Sequence, residues 1–296
     1  MPSDRVESTN LQQILHTHAP NRCRERIAAY TALYSDLFMR ADQREWFRLY
    51  IRGLLTAPER KNVETIAAVV APEVQTGANL GQALQHFVTQ SPWEHSRVFA
   101  RYRECLPVEY REQASSWVIH DGVLLKKGRN TVGTQRQMAR PMKRKVNCQI
   151  VVVVGVSGKA GYVPLATRLY LPRYWLRENA ALVEKTVPSH LQQHIPKQSI
   201  ALNLIEELRA EGWTAPTAVV EEGYKSTEGF VEAMAERAIR VVDDQPDAFR
   251  EAGEQFDWLK SRLGLDHFEG RTWTGWHHHA AMVFAAAGFL LSNPCK

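Results

Sequence analysis

The chain has 296 residues, 44% of them hydrophobic, with a net charge of +5 and a pI of about 9.0. That length buries a full core in one large domain or two ordinary ones, and the mild basic excess tilts toward a polyanionic partner. Four dispersed cysteines (Cys23, Cys105, Cys148 and Cys295) form no CxxC pair, which argues against a structural zinc site or a disulfide framework and fits a reducing cytoplasm.

The N-terminal stretch MPSDRVESTNLQQ is polar and has no apolar signal core. The longest apolar stretch, Ala280 to Leu291, is too short to span a bilayer. A soluble, cytoplasmic protein with no membrane partner is expected. From about Asn10 to Leu106 the pattern is helical. Ile27, Tyr30, Leu33, Tyr34 and Leu37 recur at helical spacing, and Trp46, Leu49, Tyr50 and Leu54 share one face of the next helix. Pro58 and Pro92 each open a further helix, with Leu80 to Thr89 between them. Arg52, Arg60 and Lys61 either face phosphates or belong to a solvated surface.

The period changes near Ser115. Trp117 to His120, Asn147 to Val154 and Tyr162 to Tyr170 read as strands, the last two joined by a turn at Ser157 to Gly161. A single acid, Asp121, closes the first strand. After it, from Gly122 to Val146, there is no Asp or Glu, while Lys126, Lys127, Arg129, Arg136, Arg140, Lys143, Arg144 and Lys145 accumulate. A carboxylate at a strand end can bind a divalent metal, and a basic loop beside it can hold phosphates or be a solvated face. A polar region, Leu176 to Gln198, leads into a helix with Ile200, Leu204, Ile205 and Leu208 mostly on one face, ending at Gly212. Thr217 to Val220 is a fourth strand and runs into Glu221. A helix (Ser226 to Arg237), a strand (Ala238 to Val242), a helix (Asp247 to Leu263) and an apolar helix (His277 to Leu291) follow.

Two acids, Asp121 and Glu221, therefore stand at the ends of expected core strands, and Glu254 or Glu269 from the late helical region is the candidate third. Acids converging in this way can hold two divalent metals for phosphodiester chemistry. The order of strand acid, hairpin, helix, strand acid and helix acid fits a ribonuclease-H-like core. His120, adjacent to Asp121, should point to the opposite strand face and be structural. His277, His278 and His279 point in different directions from a helix and suit packing or hydrogen bonding better than one metal ion. Trp273 and Trp276 suit core packing better than base stacking. No Ser/His/Asp nucleophile set stands out, and SGKAG lacks the phosphate-loop spacing.

The stretches VIHDGVLLKKGRNTVGTQRQ, KVNCQI and LGLDHFEGRTWTGWHHH, with the weaker YIRGLLTAPERKNVETIA, LQHFVTQSPW and RLYLP, occur in one order between about Leu33 and Leu291. In them the chain resembles a DDE-type insertion-sequence transposase. The resemblance implies an α+β fold: a ribonuclease-H-like mixed sheet with flanking helices over 113–296, preceded by a helical N-terminal domain, 1–112, as a candidate DNA-binding unit. It also implies catalytic, metal-holding roles for Asp121, Glu221 and Glu254 with Mg2+ or Mn2+, and Glu269 as the fallback. The basic residues from Lys126 to Lys145 would hold DNA, the partner would be the element ends, and pairing two ends implies a homodimer by analogy.

Three departures are visible. Glu221 stands where such families usually carry Asp. Arg250 and Glu254 fit an Arg-x-x-x-Glu pair, yet Lys260 follows Glu254 by six residues where seven is usual. The segment between Glu221 and Glu254 is short. The resemblance implies a transposase-like DNA nuclease and strand transferase acting by a two-metal mechanism; the departures open the alternative of a catalytically impaired or domesticated derivative that acts as a DNA-binding protein.

Overall fold

The computed structural model describes residues 20–58, 60–74, 79–243 and 246–292. The polar N-terminal stretch, Asn10 and Cys295 lie outside the described residues. Helix α1 (Pro20–Ala32) is followed by α2 (Ala41–Thr56), α3 (Val63–Val70), α4 (Leu80–Thr89), α5 (His95–Glu104) and the short α6 (Glu109–Glu112). Asparagine caps start two of these. The side chain of Asn62 accepts from the Thr65 N–H at 2.8 Å, and that of Asn79 from the Gln82 N–H at 3.2 Å, each satisfying a donor that the first helical turn leaves free.

The sheet begins with β1 (Ala114–Leu125), β2 (Gln135–Ala139), β3 (Arg144–Gly158) and β4 (Gly161–Leu169). Short helices α7 (Arg173–Glu178) and α8 (Ala180–Thr186) lead to α9 (Lys197–Ala210), then β5 (Thr217–Val220), α10 (Glu222–Lys225), α11 (Phe230–Glu236), β6 (Arg240–Val241), α12 (Pro246–Leu263) and α13 (Trp273–Ser292). The strand order is β2-β3-β1-β5-β6, and β4 also pairs with β3. Pairs β1–β3, β2–β3 and β3–β4 are antiparallel, while β1–β5 and β5–β6 are parallel. This is the expected mixed α+β sheet with flanking helices, consistent with a ribonuclease-H-like domain. Strand β3 lies inside the sheet, and its run from Ile150 to Val154 is buried throughout, which explains its unbroken apolar sequence.

Several boundaries differ from the sequence expectation. Strand β1 does not stop at His120 but runs on to Leu125, pairing Asp121 with Val152. The basic loop contains a strand: β2 pairs with Arg144–Cys148 of β3, so the cations from Arg136 to Lys145 ride on a hairpin. The signal was a period of two, with Gln135 and Gln137 half-buried and Arg136 and Met138 exposed, hidden by charge. The expected helix at Ser226 to Arg237 begins only at Phe230, after Gly229 with a φ of 77°.

One buried cluster runs from Ile27 in α1 through the sheet to Phe289 in α13. Helix α13 is its axis: every residue from Gly275 to Phe289 is buried, and it packs against α2, α4, α5, α12 and β4. A helix apolar on all sides must be surrounded by protein. Its three histidines bind the surrounding layers. His277 donates from Nδ1 to the Trp273 carbonyl (2.9 Å) and accepts at Nε2 from the Leu169 N–H (3.4 Å). His279 donates from Nε2 to the Gly264 carbonyl (2.8 Å) and accepts from the Tyr50 hydroxyl (3.0 Å). His278 sets its two ring nitrogens against the Val88 and Trp93 carbonyls, both at 2.8 Å, and stacks on Trp93. Val88 needs this partner, because its next-turn residue is Pro92, which has no N–H. The hydrogen-bonding reading of the triplet and the core reading of Trp273 and Trp276 both hold. No described helix is long and apolar enough to cross a membrane.

Candidate active-site cleft

Parallel pairing of β1 with β5 ends at Ile119 and Val220, and the Glu221 N–H donates to the Ile119 carbonyl at 3.1 Å. Asp121 and Glu221 therefore lie side by side where β5 stops and β1 continues. A crevice at the carboxyl ends of parallel strands is the usual site position in open α/β sheets.

Strand alternation sends the neighbours His120 and Asp121 to opposite faces. Asp121 turns toward α9. Its Oδ1 accepts from the Tyr224 hydroxyl at 2.8 Å, and its Oδ2 accepts from the Lys197 ammonium in a close ion pair. Lys197 is the first residue of α9, and its ammonium also lies 5.8 Å from the Tyr224 ring centroid. Next to it, Gln198 donates to the Gly223 carbonyl at 2.9 Å and to Thr227 Oγ1 at 2.6 Å, tying α9 to the turn after β5. His120 turns toward α12, where its ring meets Phe256 edge-on at 5.9 Å. Burial pulls the His120 pKa down to about 4, against the opposing pull of Asp121, so the ring is neutral at pH 7. Gly122 shares this face, and a Cβ there would collide with the Phe256 ring.

A cavity of about 470 Å3 opens between the sheet and α12. His120, Asp121 and Glu221 line it from the sheet; Gly253, Phe256 and Asp257 line it from α12; Pro141 and Met142 line it from the β2–β3 turn. Lys143 closes that turn in the left-handed region (φ 51°). Arg140 of the same turn lies over Gly223, where a Cβ would come 2.5 Å from its Cζ. Burial, and then the charge of Asp121, raise the Glu221 pKa to about 7; Lys197 and Arg140 pull the other way. Glu221 Oε2 is buried without a hydrogen-bond partner.

The remaining expected residues are dispersed. Glu254 is not brought to the cleft: its side chain is 65% exposed and pairs with Arg250 at 3.1 Å. The cleft-facing residues of α12 are Phe249, Gly253, Phe256, Asp257 and Lys260, spaced as one helical face, and Glu254 falls beside it. Asp257 is paired with Lys260 at 2.6 Å. Glu269 pairs with Arg60, away from the cleft. Arg60 is exposed, as a solvated-surface residue should be, but Arg52 pairs with Glu73 and is largely enclosed, and Lys61 is buried, donating to the Ala57 carbonyl at 2.6 Å. Lys126 donates to the carbonyls of Asp266 (2.7 Å) and Phe268 (2.9 Å), and burial lowers its pKa to about 8. By contrast Lys127, Arg129, Arg136, Arg140, Lys143, Arg144 and Lys145 are all exposed. None of them makes an ion pair among the described residues.

DDE nucleases in general use divalent metals. Here the residues do not fit one: among the described residues no group of three or more His, Cys, Asp or Glu side chains converges as a metal cage would require. Both Asp121 oxygens are engaged by other partners. Lys197 and Tyr224 were the functional neighbours that sequence reasoning missed. A lysine in the first turn of a helix opposes the helix dipole, and that oddity was the available signal for Lys197.

Residues 33–244 match the family model described as DDE superfamily endonuclease. No curated protein and no solved structure gives a match.

Proposed function

Since the chain belongs to the DDE superfamily endonuclease family, we propose that it is a transposase-like protein that binds DNA along the β2–β3 hairpin and is impaired in metal-dependent cleavage. One observation carries this reading. The exposed, unpaired cations Arg136, Arg140, Lys143, Arg144 and Lys145 sit on a hairpin whose turn roofs a cleft in which lysines already hold two of the three lining carboxylates, Lys197 at Asp121 and Lys260 at Asp257. Each cation that meets a phosphate releases a condensed counterion, which gives salt-sensitive affinity without any chemistry. Glu221 contributes to the impairment as well, since it is one methylene longer than Asp and metal sites are sensitive to ligand placement. Fluorescence anisotropy with labelled duplex DNA against salt, with and without Mn2+, tests it. Metal-independent, salt-sensitive binding without nicking is expected; no binding at low salt would sink the proposal.

A second reading keeps the enzyme. Asp121, Glu221 and Glu254 would hold Mg2+ or Mn2+, and a two-metal cut at element ends would precede strand transfer. The adjacency of Asp121 and Glu221, where the parallel pairing of β1 with β5 ends, favours it. Nicking that needs divalent metal and disappears in Asp121→Ala would establish this reading over the first.

A further inference from the structure

Asp121 is the one buried carboxylate among the described residues, with its side chain 1% exposed. An ionised group so enclosed needs a compensating charge and its full set of hydrogen bonds. Lys197 supplies the charge and Tyr224 the second bond. The lysine is kept at a helix start, where the dipole disfavours it, so its position answers to Asp121 rather than to the helix. A divalent cation bound by protein oxygens needs several of them together. On the α9 side of β1 a lysine and a phenol take the two oxygens of Asp121 instead.

We propose that Lys197 is the resident cation of Asp121, standing where a divalent metal would otherwise sit, and that the carboxylate keeps its place without metal. The inference concerns the cleft alone and does not depend on whether the hairpin binds DNA. It places Asp121 in a structural role and makes lysine and metal alternative partners of one carboxylate. Removing the lysine should then open the carboxylate to a metal.

The test is thermal unfolding of the full chain during a MnCl2 titration, without DNA, for the wild type, K197R and K197M. The wild type and K197R should melt at a temperature that Mn2+ does not change. K197M should melt roughly 10 °C lower, the scale set by breaking a buried ion pair in a chain of this size, and should recover in part with Mn2+. A Mn2+-dependent rise in the wild type that is lost in D121N overturns the proposal. So does a K197M that melts like the wild type, or one that melts low and ignores Mn2+, because lysine and metal are then not interchangeable at Asp121. If K197M does not fold, Mn2+ electron paramagnetic resonance of the wild type against D121N decides: bound Mn2+ dependent on Asp121 overturns the proposal, and its absence supports it. Loss of DNA affinity in the same preparations would count against the DNA-binding function and leave this inference standing.

Discussion

The Tyr224 hydroxyl donates to Asp121 at 2.8 Å across 103 residues of sequence, joining the turn after β5 to the middle of β1. The bond has two consequences. It holds the one buried carboxylate in place, and it makes the turn that follows Glu221 part of the same unit. Burial and the neighbouring Asp121 charge push the Tyr224 pKa well above the usual phenol range, so it stays a donor at any ordinary pH.

Tyr224→Phe removes the donor and keeps the ring. A hydrogen bond to a buried charged group contributes about 1.5–3 kcal/mol, so the variant should lose that much in urea unfolding. The m-value should stay constant, since the folded surface is unchanged. An unchanged midpoint would mean that Lys197 alone satisfies Asp121.

Lys126→Ala and the pair Arg144→Ala/Lys145→Ala should separate two roles that look alike in sequence. Lys126 ties the end of β1 to the Asp266–Phe268 segment, so its loss should lower the melting temperature and leave the salt slope of DNA binding intact. Arg144 and Lys145 are exposed on the hairpin, so their loss should leave stability within about 0.5 kcal/mol. It should also flatten the log–log salt slope by roughly 2 if both meet phosphates. Anisotropy titrations at several salt concentrations read the second effect, and thermal melts read the first.

How far the sequence was legible follows from which contacts are local. The Val-rich run of β3 and the pattern of α12 are set by nearest neighbours, and their apolar spacing reveals them. Strand β2 hid because its alternating side chains are Gln, Arg and Met, so charge masked the period. Asp121 and Glu221 were legible as neighbouring acids, although β1 runs on past Asp121 to Leu125. Lys197 was not: its partner lies 76 residues away, and in sequence it only opens a helix. Glu254 shows the sharper limit. One step along a helix turns a side chain about 100°, and that step separates Gly253, which lines the cleft, from Glu254, which pairs with Arg250 in solvent. The six-residue spacing to Lys260 was the trace of that step.

Acid should weaken the fold through α13. Burial pulls His279 down to about 4, from an unfolded value of about 6.5. The unfolded chain therefore binds more protons between these limits, and stability rises with pH across the window from about 4 to 6.5. The ring contributes on the order of 3 kcal/mol at neutral pH that is lost on acidification. Urea unfolding at pH 5 and pH 7 should show the loss. A His279→Gln variant, which can still reach the Gly264 carbonyl, should reduce the pH slope. An unchanged slope would assign the acid sensitivity to other groups.

Glu221 has the opposite sign. Its folded pKa of about 7 lies above the ordinary carboxylate value, so the folded chain holds the extra proton. Its contribution is favourable below the unfolded carboxylate pKa and fades as pH rises toward 7, where burial beside Asp121 penalises the charge. Above pH 7 a charged Glu221 costs on the order of 3 kcal/mol, and its Oε2 has no donor to offset it. Glu221→Gln should therefore match the wild type near pH 4 and exceed it in stability above pH 7. The comparison also bears on chemistry: a carboxylate kept for metal binding would be stabilised as the anion by its ion, so added Mn2+ should erase the advantage of the Gln variant if a metal binds there. An advantage that persists in Mn2+ means the wild-type cleft carries Glu221 as an uncompensated acid.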